Sequence, residues 1–272
     1  MGMTISTALA GIAARGRHGP SPTISASALR DAVARRLAML RTKAPEEAQG
    51  PGVDLLLGEL RTIGAGLLHP LKAPVPLPRA QHPRVVMLLP GFGTHPLRMR
   101  FMARQLEAAG HKVKRWGMGF NLGPTQENFD MLARRVCEVR ERYGQPVVLV
   151  GWSLGGIFAR EVAKRHPQHI AKVITMGSPF SGTPYGNNAW RLYQLVTGHS
   201  VEQPPVEAQV AVKPPVETVA LWSPRDGVVS PRCACGRPGE RDRAVALRCT
   251  HIGFANSAEA IRAVAEELER PG

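Results

Sequence analysis

Aromatic residues, acidic residues, cysteines and long apolar runs are all scarce in this sequence of 272 residues, and each scarcity narrows what the protein can be. Aromatics make up only 5% of the chain. It has no helix-turn-helix, zinc-finger or aromatic-studded RNA-binding signature, so nucleic acid is not expected as a partner. No uninterrupted apolar run reaches the roughly 18 residues of a membrane-spanning helix. The four cysteines, Cys137, Cys233, Cys235 and Cys249, are too few for a disulfide scaffold. Residues 3–14 are mildly apolar, but no Lys or Arg precedes them, which argues against a secretory leader. A cytoplasmic protein is expected, with export by another route left open. Acidic residues number 21 against 35 Lys and Arg, a formal charge of +14. A basic surface concentrates anionic partners, so peripheral contact with an anionic membrane is allowed, although arginines on a solvated surface give the same count. No motif speaks to oligomeric state.

What is present suits a loop-rich globular chain: 43% hydrophobic residues, 28 Gly and 24 Pro. Two parts are expected, residues 1–83 as a helical arm with a proline-rich linker and residues 84–272 as the main domain. In the arm, Leu29, Val33, Leu37 and Leu40 recur at helical spacing over residues 27–42. Residues 53–68 carry Leu55, Leu56, Leu60, Ile63 and Leu67, although Gly58, Gly64 and Gly66 weaken a helix there. Such an arm either packs on the domain or serves a membrane or dimer contact. The linker that follows should be extended.

From residue 84 strand-length apolar runs alternate with segments of helical period. Strands are expected at residues 85–89, 112–116, 147–150, 172–176, 218–222 and 244–247. Helices are expected at 97–109, 125–143, 154–165 and 255–268, with Thr125 as an N-cap and Gly144 just past a helix end. This alternation predicts an α/β fold, a mostly parallel sheet of about six strands flanked by helices. Chemistry in such sheets sits at the carboxyl ends of the strands.

Gly151-Trp152-Ser153-Leu154-Gly155-Gly156 lies between the strand VVLV and a helical segment. A serine on a sharp strand-to-helix turn has strained backbone angles and a hydroxyl raised above the sheet edge. Gly151 and Gly155 let strand and helix approach closely. Ser153 is therefore the candidate nucleophile. A serine hydroxyl needs a base, and the base needs an orienting acid. His251 follows the sixth strand, in the carboxyl-end loop where a base belongs. His166 and His169 lie past the nucleophile helix, away from the strand ends, and His199 lies in irregular chain. Asp226 follows the fifth strand and is the candidate acid, whereas Asp242 precedes the sixth strand, at the wrong sheet end. Acyl transfer creates an oxyanion that two backbone N–H groups must hold. Leu154 supplies one, and Phe92 in the loop Pro90-Gly91-Phe92-Gly93-Thr94 supplies the other, with Gly91 and Gly93 letting that loop come close.

Together these residues resemble the α/β-hydrolase superfamily, in particular bacterial lipases and esterases. LLPGFGTHP is similar to their oxyanion loop, GWSLGG to their nucleophile elbow, and ITMGSPFSGTP to the segment after the next strand. SPRDGVV and CTHIGF resemble the acid and histidine loops. The resemblance covers roughly residues 84–270 and not residues 1–83, and no pair of strands is evident before VVMLL. It implies carboxylic-ester hydrolysis of small-molecule or lipid esters, without cofactor or metal, and a short lid over residues 180–215 lined by Trp190, Leu192, Tyr193 and Leu195. Acyltransferase or thioesterase chemistry on the same residues, or a non-catalytic binding role, are the alternatives. Cys233, Cys235 and Cys249 flank the acid and histidine loops. A bridge from Cys233 or Cys235 to Cys249 could contribute about 3 kcal/mol; free thiols are the alternative, and the spacing is poor for zinc.

Overall fold

A computed structural model describes residues 50–68, 73–202 and 209–271, with scattered positions between 30 and 45. The helix expected at residues 27–42 and the apolar stretch at residues 3–14 lie largely or wholly outside the described residues. In chain order the elements are helix α1 (Val53–Leu68), strand β1 (Val85–Leu89), α2 (Arg100–Ala108), β2 (Lys112–Arg115), α3 (Gln126–Tyr143), β3 (Val147–Trp152), α4 (Leu154–Arg165), β4 (Ile170–Met176), α5 (Trp190–Thr197), β5 (Glu217–Trp222), α6 (Pro231–Cys235), β6 (Arg243–Ala246) and α7 (Ala258–Glu269). The six strands form one sheet in the order β2-β1-β3-β4-β5-β6, and every pairing is parallel. The long helix expected at residues 97–109 is divided into a 3-10 turn over Pro96–Met99 and then α2.

Period-2 alternation explains how the sheet is covered on both sides. Val86 and Leu88 of β1, Val148 and Val150 of β3, and Ile174 and Met176 of β4 face one layer, where they pack with Met102 and Leu106 of α2 and Ile261 and Val264 of α7. Val85, Met87 and Leu89, with Leu149 and Val173, face the other layer, against Phe129, Leu132 and Val136 of α3 and Phe158 and Val162 of α4. Strands buried on both faces read as near-continuous apolar runs, as VVMLL and VVLV do. The helix ends follow local chemistry. Thr125 Oγ1 accepts from Asn128 N (3.1 Å) to start α3, and Gly144, at φ 66°, ends it.

The chain runs from β1 outward to β2 and returns to place β3 on the other side of β1. That reversal opens a crevice beyond the carboxyl ends of β1 and β3, and the loop carrying Phe92 and the turn carrying Ser153 both enter it. Helix α1 forms despite its glycines. Leu55, Glu59 and Thr62 share its inner face, while Val53, Leu57 and Leu60 on its outer face are more than half exposed. Its approach is close enough that a Cβ on Gly227, in the loop after β5, would collide with the Leu55 carbonyl. Residues 73–84 carry no helix or strand.

Two glycine replacements should behave in opposite ways. A Cβ on Gly155 would drive into the Leu89 and Pro90 carbonyls, whereas one on Gly58 in α1 meets nothing within 4 Å. Gly155→Ala should cost about 3 kcal/mol in urea denaturation. Gly58→Ala should stabilise by about 0.5–1 kcal/mol. Equal effects of the two would contradict the packing described.

Candidate active site

Ser153 is the one non-glycine residue among those described with a positive φ (54°, with ψ −122°). Backbone held there costs on the order of 1–3 kcal/mol and persists only where surrounding structure over-determines it. Here the determinants are close. Ser153 N donates to Met176 O of β4 (2.8 Å). A Cβ on Gly151 would overlap the backbone of Gly155 and Gly156, and one on Gly156 would overlap Ser178. Strand β3 and helix α4 therefore meet backbone to backbone, and the turn between them lifts Ser153 toward the crevice. Its hydroxyl stands at the N-terminus of α4, where the helix dipole favours negative charge.

The loop after β1 comes equally near. A Cβ on Gly91 would lie 3.2 Å from Ser153 Cβ and 3.3 Å from the Trp152 ring. Asn121, fully buried, holds this loop in place: its Nδ2 donates to Pro90 O (2.8 Å), its backbone carbonyl accepts from Gly93 N (2.7 Å), and its own N donates to Thr94 O (3.0 Å). Those bonds use the N–H of Gly93 and the carbonyls of Pro90 and Thr94, around Phe92. Among the described residues no backbone bond engages the N–H of Phe92 or of Leu154. The Phe92 ring packs on Tyr193 of α5 with centroids 5.5 Å apart.

Beyond β5 and β6 the structure brings Asp226 and His251 together. Asp226 Oδ2 lies 2.8 Å from His251 Nδ1, and Oδ1 accepts from the backbone N of Val228 and of Val229, each at 2.8 Å. Asp226 is completely buried and His251 is 5% exposed. A Cβ on Gly177 would meet Asp226 Oδ2 at 2.8 Å, so this glycine at φ 55° leaves room for the carboxylate. Burial pulls the imidazole pKa down, but the charge of Asp226, its hydrogen bond and the charge of Glu59 outweigh that pull. The net result is a His251 pKa above the ordinary 6.5. Trp152, next to Ser153, donates its indole N–H to His251 O (3.0 Å), and its ring lies 5.7 Å from the imidazole. Among the described contacts no hydrogen bond joins the Ser153 hydroxyl to the imidazole.

Sequence reasoning missed three residues of this layer: Asn121, Ser223 and Glu59. Ser223 Oγ donates to Cys249 O (2.6 Å) and accepts from Arg225 N (3.0 Å), tying the acid loop to the histidine loop. Glu59 of α1 accepts backbone N–H groups from both of those loops. A glutamate on an amphipathic helix reads as a solvated charge, and only the i, i+3, i+4 placement of Glu59 with Leu55 and Thr62 hinted that it faces inward.

A cavity of about 340 Å³ opens at Ser153, walled by Phe92, Leu154, Ile157, Trp190, Tyr193 and Val229, among others. Of the side chains expected to line a lid, Trp190 and Tyr193 do so. Leu195 does not reach the wall, and the Leu192 side chain and residues 203–208 lie outside the described residues. The end of that segment is fixed by Arg160 of α4, whose guanidinium donates to the carbonyls of Val210, Ala211, Val212 and Glu240 at 2.9–3.2 Å. Asp242 accepts from Lys213 and Thr218 N at the opposite sheet end, and His166 stacks on His169 there. The bridge considered from Cys233 or Cys235 to Cys249 is not formed, and all these thiols are free. The physical reason is separation: Cys233 packs with Val229 and Ala234, while Cys249 is in the layer with Phe254 and Ile261. Burial pushes the Cys249 thiol up to about 12, so it stays protonated.

This sheet, its reversal at β1 and β3, and the serine turn define the α/β-hydrolase fold, and residues 84–197 match the family described as alpha/beta hydrolase fold. The chain is similar to a pimeloyl-[acyl-carrier protein] methyl ester esterase of Edwardsiella ictaluri, with 34% identity over 98 residues. That match spans 35% of this chain and 36% of the relative. Among solved structures, the mature lipase BlEst2 of Bacillus licheniformis has a TM-score of 0.53 at 19% identity, covering 72% of this chain and 96% of that one. Its propeptide form gives 0.56 at 18%, covering 74% and 53%. No described helix is long and apolar enough to cross a membrane.

Because folding raises the His251 pKa, its pairing with Asp226 stabilises fully below the unfolded imidazole value near 6.5 and less as pH climbs through the folded value. The stability gap between the native protein and Asp226→Asn, read by urea denaturation, should therefore be wider at pH 6 than at pH 9. A gap that widens with rising pH would contradict the pairing.

Proposed function

We propose that this protein is a carboxylic-ester hydrolase that works through an acyl-enzyme on Ser153. The observation that carries the reading is the strained Ser153 turn beside an apolar cavity, with an imidazole nearby whose Nδ1 is tied to a buried carboxylate. In this reading Ser153 Oγ attacks the ester carbonyl carbon while His251 Nε2 takes the hydroxyl proton. Asp226 keeps the Nδ1–H tautomer and stabilises the imidazolium that forms. The N–H groups of Phe92 and Leu154 receive the oxyanion in a site shielded from water. The proton then passes from His251 to the departing alkoxide, and the acyl-enzyme remains. Water, deprotonated by His251, attacks that ester; as the acyl bond to Ser153 breaks, His251 returns the proton to Ser153 Oγ, and the acid is released with the enzyme restored. The hydrogen bond between serine and imidazole forms when substrate enters, since catalytic contacts are often long or unaligned in a free enzyme.

The names of the relatives, a methyl ester esterase and a lipase, support an ester as substrate. At about 340 Å³ the cavity is near the lower end of small-ligand pockets, which favours short to medium acyl groups over long ones. Phe92, Trp190 and Tyr193 supply apolar and aromatic wall for an acyl chain.

A series of p-nitrophenyl esters from C2 to C16 tests this. Hydrolysis should peak at short to medium chains, and Ser153→Ala should lose more than about 10⁴-fold in kcat. The acid limb of kcat/KM should fall at a pH above 6.5, because His251 must be neutral to act and its pKa is raised. Undiminished turnover by Ser153→Ala would refute the reading, and a maximum at C16 would refute the chain-length preference.

A further inference from the structure

Helix α1 lies before residue 84, where the family match begins, yet it reaches the chemistry directly. Glu59 is 3% exposed, and both its oxygens accept from backbone. Oε1 takes Gly227 N (2.9 Å) and His251 N (2.6 Å), and Oε2 takes Ile252 N (2.9 Å). One donor belongs to the loop directly after Asp226, and the other two to His251 and its neighbour. Without Glu59 these N–H groups, those of Gly227 and His251 buried and that of Ile252 partly so, would lose their partner, and a buried donor left unsatisfied costs about 1–3 kcal/mol.

The rest of α1 is docked around this contact. The Leu55 carbonyl sits against Gly227 so tightly that no side chain fits there. Thr62 Oγ1 lies 3.2 Å from Thr250 Oγ1, beside His251. Asn188 Nδ2 donates both to Pro51 O (3.0 Å), just before the helix, and to Gly227 O (2.9 Å).

We infer that Glu59 is a positioning residue for the hydrolysis proposed above: its carboxylate clamps the acid loop to the histidine loop and so sets the imidazole against Ser153. The inference rests on that reading for its effect on rate, but not for its effect on His251 itself. Without it the acid loop and the histidine loop would be joined only by the Ser223–Cys249 bond and the Asp226–His251 contact, with Trp152 holding the His251 carbonyl. A misplacement of 1 Å in such a site costs about 10²-fold in rate.

The clamp also has an electrostatic side. The charges bearing on His251 are Asp226 from the loop after β5 and Glu59 from α1. From its own loop the Cys249 thiol, raised by burial first, stays neutral, and the neighbouring rings of Trp152 and Phe254 carry no charge. Each carboxylate favours imidazolium, so removing the Glu59 charge lowers the folded pKa of His251.

The test uses the full chain with Glu59→Gln, which preserves size and one acceptor oxygen but turns an NH₂ toward Ile252 N–H, alongside Glu59→Ala. Kinetics on the best p-nitrophenyl ester are read together with the ¹H–¹⁵N titration of the His251 imidazole, assigned with His251→Gln. For Glu59→Gln, kcat should fall about 10- to 10²-fold with KM little changed. Both the acid limb of kcat/KM and the imidazole midpoint should move to lower pH. If the native protein hydrolyses no ester while the midpoint still moves and the Nδ1–H resonance broadens, the clamp stands and the hydrolase reading fails. If Glu59→Gln loses stability but keeps the native kcat, acid limb and imidazole titration, Glu59 is only structural and the inference is overturned. Should Glu59→Ala fail to fold, Glu59→Gln still decides.

Discussion

Two backbones meeting without side chains between them govern this molecule. Strand β3 and helix α4 approach so closely at Gly151, Gly155 and Gly156 that any Cβ would overlap main-chain or Ser178 atoms. A chain leaving a central parallel strand and entering a helix against that same strand must turn sharply. The residue at the corner, Ser153, is left at φ 54°. Glycine would adopt this angle without strain, but it has no hydroxyl. The strain is held by packing from both layers of the sheet and by the bond from Ser153 N to Met176 O. The same crowding at Leu89 and Pro90 brings the loop after β1 to the serine, where a Cβ on Gly91 would lie 3.2 Å from Ser153 Cβ.

The other half of the site is built on a different principle. Asp226 and His251 stand on loops beyond β5 and β6, where no regular ladder fixes the backbone. Cross-bonds replace it: Ser223 to Cys249 O, Trp152 to His251 O, and the two oxygens of Glu59 to three amides. Two carboxylates therefore surround one imidazole at different positions, Asp226 on the ring and Glu59 on the backbone. Together they offset the desolvation that burial imposes on the imidazolium.

The fold was legible because its determinants are local. Runs such as VVMLL and VVLV match a sheet covered on both faces, and Thr125 and Gly144 mark both ends of α3 by their own chemistry. The sharp turn at Ser153 was equally readable, since glycine spacing between a strand and a helix has few other uses, and the structure holds that residue at φ 54°. Asp226 and His251 could be chosen by sheet end alone, and the structure brings that pair into contact. What could not be read depends on long-range packing. Gly58, Gly64 and Gly66 argued against α1, but its docking on the acid loop outweighs their propensity. Glu59 and Asn121 are polar residues that look solvated in sequence and are buried because distant loops offer them donors and acceptors. The cysteines near the acid and histidine loops invited a bridge, but Cys233 and Cys249 are buried in separate clusters and Cys235 is also a free thiol.

The account stands on Ser153 being the residue that the fold activates. Reaction of the native protein with a fluorophosphonate, followed by peptide mass spectrometry, reads this directly. The account predicts one equivalent of label on the peptide containing Ser153 and none after His251→Ala. Label on another residue, or no label on folded native protein, would contradict it.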